Sequence, residues 1–180
     1  MELLKITALL QSTHEDRSVP KDALGALVFS PSVLGQSEPG EGFWTVGYAS
    51  GAQPRSGVTP DDYVAWVRKR KGGVFTRLIG LGRTRNNDIV LPFDDISKYH
   101  AYFSVGSSDG EMSVADAGSK NGTFVNASRL DTKVPHAVAS GSSVGFGSHT
   151  GLFFERSAFV SLLTAMLGTA SAPPTSPSGR

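Results

Sequence analysis

Leu81-Gly82-Arg83-Thr84-Arg85-Asn86-Asn87-Asp88-Ile89-Val90-Leu91 is followed by Ile96-Ser97-Lys98-Tyr99-His100-Ala101. Val114-Ala115-Asp116-Ala117-Gly118-Ser119-Lys120-Asn121-Gly122-Thr123-Phe124-Val125-Asn126 comes next. Taken singly, the polar residues here have ordinary explanations. Arg83 after Gly82 is a solvated charge at a strand end, Ser97 caps a turn, His100 is a satisfied core histidine, and Asn121-Gly122 is a common hairpin dipeptide. Their order and intervals are less ordinary: Gly-Arg, then Ser-x-x-His, then Asp-x-x-Ser-x-Asn-Gly-Thr-x-x-Asn.

The surrounding pattern is that of short strands. Ala101, Phe103 and Val105 share one face of a segment whose other face is Tyr102 and Ser104. Met112 and Val114 alternate with Glu111 and Ser113, and Val144 and Phe146 with Ser143 and Gly145. Turn residues intervene at Gly106-Ser107-Ser108-Asp109-Gly110, Gly118 to Gly122 and Gly141-Ser142. Leu152-Phe153-Phe154 reads as the last strand. Many short strands at this spacing predict a β-sandwich, and 21 glycines in 180 residues fit a fold rich in tight turns.

The three quoted segments together resemble the forkhead-associated (FHA) domain signature at almost every defining position, across about 80 residues of the chain. The resemblance implies an all-β fold, an FHA-type sandwich of about eleven strands with an N-terminal extension and short flanking helices. It also implies loops at one end that recognise phosphothreonine in an extended peptide. By position, Arg83, Ser97, Lys98 and Asn121 match the family's peptide-binding residues, with Lys120 at a variable contact position. His100, Asp116, Ser119, Thr123 and Asn126 match positions that brace the loops. Lys98 stands where arginine is frequent, and Ser142 where aspartate is usual.

The side-chain chemistry agrees independently. A phosphothreonine carries close to two negative charges and three acceptor oxygens. Arg83 presents a rigid fork of donors and Lys98 a compact cation. The Ser97 hydroxyl can donate to a further oxygen, and the Asn121 amide suits the backbone of an extended ligand. A preference for threonine over serine rests on the resemblance alone.

Residues 1–58 form an N-terminal extension of uncertain fold. Ala26 to Phe29 and Phe43 to Tyr48 read as strands that either extend the sheet or build a small subdomain. Over 59–72 the sequence predicts an amphipathic helix: Thr59 as N-cap, Pro60 first, Asp61 and Asp62 at the positive end, Arg68 to Lys71 at the negative end. The FHA domain is expected over 73–156, a short helix over 157–167 and a disordered tail over 168–180, where Pro173, Pro174 and Pro177 stand.

Apolar residues make up 39% and charged residues 18% of the chain, an ordinary globular balance. With no cysteine, disulfides and thiolate metal sites are excluded. No cofactor or metal is expected, and four scattered histidines supply no ligand cluster. No segment has the roughly 18 apolar residues of a membrane span, and Met1 to Ile6 is wrongly charged for a secretory signal. The expected location is cytoplasmic.

Net charge is +1, yet Tyr63 to Asn87 holds seven cations and no acid. A nucleic-acid binder using that stretch is disfavoured, because Tyr63 and Trp66 fit a core face better than a stacking platform. Catalysis is not expected: Ser97, His100 and Asp116 supply triad residue types, but no nucleophile-elbow motif accompanies them. The expected protein is a non-enzymatic phosphothreonine reader downstream of a Ser/Thr protein kinase, its partner a threonine-phosphorylated protein, whether kinase or substrate. The alternative is a phosphate-independent scaffold on the same fold. The oligomeric state is not legible.

Overall fold

Alternating apolar residues build strands that bury one face, and continuous apolar runs build strands that bury both. The structure, a computed structural model, describes residues 3–11, 19–34, 57–71, 77–106 and 111–170. The first described elements are β1 (Leu4–Lys5), α1 (Ile6–Leu10), β2 (Gly25–Phe29), α2 (Pro31–Leu34) and β3 (Tyr63–Val67). Then come β4 (Ile79–Gly82), β5 (Ile89–Val90), β6 (Ala101–Val105) and β7 (Met112–Asp116). β8 (Thr123–Val125), β9 (Ser128–Arg129), β10 (His136–Ala137), β11 (Ser143–Phe146) and β12 (His149–Glu155) lead into α3 (Arg156–Ala170).

Two sheets face each other. One has seven strands in the order β1-β3-β2-β12-β11-β8-β9, the other five in the order β10-β7-β6-β4-β5. Neighbours are antiparallel except β4 and β5, which run parallel with Leu81 opposite Ile89. This is the expected sandwich, with twelve strands among the described residues.

The core between the sheets is where the alternation points. Phe103 and Val114 from one sheet meet Val144, Phe146 and Phe153 from the other, all fully buried. Phe103 stacks on Phe153 at 6.0 Å and meets the edge of Phe146 at 6.4 Å. Val105 departs from the expected inward face: at the end of β6 it is 47% exposed.

A second apolar layer covers the outer face of the seven-stranded sheet. Ala26, Val28, Val64 and Trp66 pack there against Ile6 and Leu9 of α1 and Phe159 and Leu163 of α3. Trp66 meets Phe159 edge-on at 5.5 Å. β2 is therefore buried at every residue, its Leu27 and Phe29 in the inner core and its Ala26 and Val28 in the outer layer.

The helix expected over 59–72 is not formed; Tyr63–Val67 is a strand paired with both β1 and β2. The cap chemistry is present but closes only a turn. Asp62 N–H donates to Thr59 O at 3.1 Å, and Thr59 N–H donates to Asp62 Oδ2 at 2.6 Å. The apolar run after it is buried on both faces, Ala65 and Val67 inward and Val64 outward. Those contacts override the helical reading, and Arg68 to Lys71 have no helix end to complement.

The domain boundary at 73 also moves. β2 and β3 lie inside the seven-stranded sheet, so the sandwich draws on residues 25–29 and 63–67. The C-terminal helix runs Arg156–Ala170 rather than 157–167, because Phe159, Leu163 and the half-buried Met166 give it a continuous apolar stripe. The strand read at Phe43 to Tyr48, and the tail beyond 170, lie outside the described residues.

Candidate functional site

Three loops gather at the end of the sandwich to which β4 and β5 run: 83–88 after β4, 91–100 between β5 and β6, and 117–122 between β7 and β8. β4 can pass close beneath the second loop because position 82 is glycine; a β-carbon there would strike the Lys98 carbonyl. Backbone bonds then tie the loops together. Arg83 N–H donates to Ser97 O at 3.0 Å, and Ala117 N–H to His100 O at 2.9 Å.

His100 is fully buried at the centre of this junction. Its Nδ1 lies 3.1 Å from the Ser97 N–H and must accept. The proton therefore sits on Nε2, which donates to Gly122 O at 3.1 Å. Burial, the dominant influence, holds the imidazole below its ordinary pKa, against the raising effects of the Gly122 bond and of Asp116 and Asp95. A neutral ring is what these bonds require: an imidazolium would have no lone pair for Ser97.

Asp116, at the end of β7, organises the third loop. Its carboxylate accepts from the Ser119 hydroxyl at 2.5 Å, the Thr123 hydroxyl at 2.8 Å, Gly118 N–H at 2.8 Å and Ser119 N–H at 3.1 Å. The Thr132 hydroxyl adds a longer contact at 3.3 Å. Burial opposes its charge, but the bonds from Ser119, Thr123 and Gly118 outweigh burial and hold the carboxyl below the usual range. Ser119 passes the order on, its Oγ accepting from Gly122 N–H at 2.9 Å. Gly122 has φ +86°, a left-handed value suited to glycine.

The expected contact residues stand on these loops. Ser97 is half-buried, and its Oγ accepts from Lys120 N–H at 3.0 Å. Arg83 is exposed, with Nη1 3.9 Å from the fully exposed Asp94 carboxylate. Lys98 and Lys120 are exposed. Asn121 is half-buried, with Nδ2 donating to Asp95 O at 2.7 Å. Asn126 stands apart from the loop junction: it holds Ser143 N–H at 3.0 Å in the β8–β9 turn.

Ser97, His100 and Asp116 do not form a catalytic relay. His100 is met by the Ser97 backbone rather than its hydroxyl, and the Asp116 oxygens are occupied by hydroxyls and amides.

Several residues that matter here carry no signal of their own in the sequence. Asp95 accepts from Ser148 N–H at 2.8 Å, the Ser148 hydroxyl at 2.7 Å and His149 Nε2 at 2.9 Å. Burial again works against the charge, and Ser148 and His149 outweigh it to depress the Asp95 pKa. His149 stacks on Phe93 at 3.9 Å. These partners are about fifty positions from Asp95, a distance no local pattern bridges.

Residues 79–147 match the family model of the FHA domain. The DNA damage response protein kinase DUN1 of Saccharomyces cerevisiae is 33% identical over 81 residues, 42% of this chain and 15% of that kinase. Among solved structures, Mycobacterium tuberculosis EmbR, in complex with a low-affinity phosphopeptide, is similar at 24% identity. That match has a TM-score of 0.39 and covers 44% of this chain and 20% of EmbR. The N-terminal FHA domain of S. cerevisiae Rad53, in complex with a phosphothreonine peptide, matches at 22% identity and a TM-score of 0.40, over 48% of this chain and 73% of that one.

Proposed function

We propose that the loop end of the sandwich binds phosphothreonine peptides and that the chain acts as a non-enzymatic adaptor downstream of a Ser/Thr protein kinase, a reading supported by the match of residues 79–147 to the FHA family model. The observation that carries this reading is the state of Ser97. One lone pair of its hydroxyl is engaged by Lys120 N–H, and its carbonyl is held by Arg83 N–H. The Ser97 hydroxyl then keeps its own proton for an outside acceptor, on the loop that also carries the exposed Lys98.

A phosphothreonine brings about 1.5–2 negative charges at neutral pH. Arg83, Lys98 and Lys120 can offset them, with Asp94 cancelling part of the Arg83 contribution. The loops are ordered by buried bonds from His100 and Asp116, so little conformational entropy remains to be lost on binding. Asn121 supports the peptide backbone with its amide oxygen and its second N–H, one Nδ2 hydrogen being committed to Asp95 O. Threonine-phosphorylated kinases or their substrates are the proposed partners, in the cytoplasm. Among the described residues no helix is long and apolar enough to cross a membrane.

The test is titration of the full chain against phosphothreonine peptides, with unphosphorylated threonine and Arg83→Ala as controls. Binding should require the phosphate and weaken by at least about thirtyfold in Arg83→Ala. Binding that survives both changes would replace this reading with the phosphate-independent scaffold.

A further inference from the structure

The basic stretch after β3 precedes the family-matched segment, yet it is bonded to the phosphate-facing loop. Lys69 Nζ donates to Asp88 Oδ2 at 2.7 Å and to Leu78 O at 3.1 Å. Arg70 N–H donates to Asp88 Oδ1 at 2.9 Å, and Gly80 N–H donates to Asp88 Oδ2 at 2.8 Å. The Asp88 side chain is 2% exposed, so this carboxylate is a buried joint between the exit of β3 and the start of β4.

Arg70 extends the joint to the loop itself. Its Nη1 lies 3.2 Å from Asn87 O and 3.4 Å from Arg85 O, spanning the turn that Asn87 N–H closes on Thr84 O. Asn87 carries the connection onward. Its Nδ2 donates to Lys98 O at 2.7 Å and to Thr84 O at 2.9 Å, while the Thr84 hydroxyl donates to the same Lys98 carbonyl at 2.8 Å. An unbroken series of bonds thus joins the exit of β3 to the backbone of Lys98 and of Thr84, the neighbour of Arg83.

We propose that Arg70, seated by Lys69 and Asp88, is a positioning residue that clamps the 83–87 loop in its phosphate-binding arrangement. The functional unit then reaches back to the exit of β3, beyond the segment the family model covers. This rests on the reading of Arg83 as a phosphate ligand. Arg70 is suited to the task because a guanidinium can bridge two carbonyls while its charge stays solvated. Its own charge lies on the loop's backbone side, so the clamp acts through geometry.

The experiment compares Arg70→Ala and Arg70→Lys with the unaltered full chain, using Arg83→Ala as a reference. Amide exchange is measured in the free protein at Arg83 and Asn87, whose N–H groups are bonded to Ser97 O and Thr84 O. In Arg70→Ala these two amides should exchange about tenfold faster with the thermal midpoint little changed, and Arg70→Lys should recover part of the protection. Titration with one phosphothreonine peptide should show about five- to tenfold weaker binding, persisting at about 1 M salt, where screening shortens to about 3 Å.

Unchanged exchange at Arg83 and Asn87 overturns the clamp whatever the peptide does. Unchanged exchange with an affinity loss that fades in salt would make Arg70 a remote charge instead. If Arg83→Ala binds normally, the assignment of the phosphate site fails, and the exchange data still decide the clamp.

Discussion

Asp116→Asn removes the charge at the centre of the 117–122 loop while keeping its shape. The carboxylate serves two backbone amides and two hydroxyls within 3.1 Å. A carboxamide has one acceptor oxygen; placed where Oδ2 stands it keeps the Gly118 and Ser119 amides, which already share that atom, while the Ser119 and Thr123 hydroxyls lose Oδ1 and must turn to accept from the amide nitrogen. Bonds to a charged group contribute about 1.5–3 kcal/mol each, against about 0.5–1.5 for neutral ones. With part of the set rebuilt, the net cost is about 2–4 kcal/mol, a fall of roughly 4–16 °C in thermal midpoint for a chain of this size.

pH separates this cause from mere crowding. The Asp116 pKa is held below 3.8 in the folded protein. The charge therefore contributes its full stability above the unfolded value, and that contribution is lost as pH falls through the folded value. Chemical denaturation of both proteins, at neutral pH and in acid below 3.8, should show the gap between them closing in acid. The depressed Asp95 pKa is common to both proteins and cancels in the difference. A gap of equal size at both pH values would refute the assignment of the effect to the carboxylate charge.

Asp94→Asn should tighten phosphopeptide binding by about two- to threefold at low salt, because the exposed carboxylate 3.9 Å from Arg83 competes with the phosphate. Weaker binding in the same titration would mean that Asp94 instead contacts the ligand. Ala127→Gly should stabilise the protein by about 0.5–1 kcal/mol. Val125 pairs with Ser128 around a two-residue turn in which Asn126 has φ 49° and Ala127 φ 66°. A lower midpoint in the melting curve would show that the turn tolerates alanine without strain.

The loops were legible because their chemistry is local and ordered. Asp116, Ser119 and Thr123 sit within eight positions and bond one another, so a linear pattern can hold them. His100 likewise reaches Ser97, three positions away. β3 was not legible. Thr59-Pro60-Asp61-Asp62 is the same capping chemistry in a helix start and in the turn found here, and a strand buried on both faces shows no alternation. What distinguishes them is pairing with β1 and β2, whose partners lie far away in sequence. Asp95, Arg70 and His149 were invisible for the same reason: each acts through a contact that only the assembled sandwich creates.

The placement of β2 bears on how the chain comes off the ribosome. Leu27 pairs with Phe153 and Val28 with Leu152, so β2 is made long before one of its two neighbours. At about 5–20 residues per second, several seconds pass between the two. β3 can cover one side of it sooner, but the other side remains an open row of backbone donors and acceptors on five apolar residues. Such an edge is a template for pairing with other nascent chains. A fragment confined to residues 79–147 would lack both β2 and β12, leaving the free edge on β11 instead.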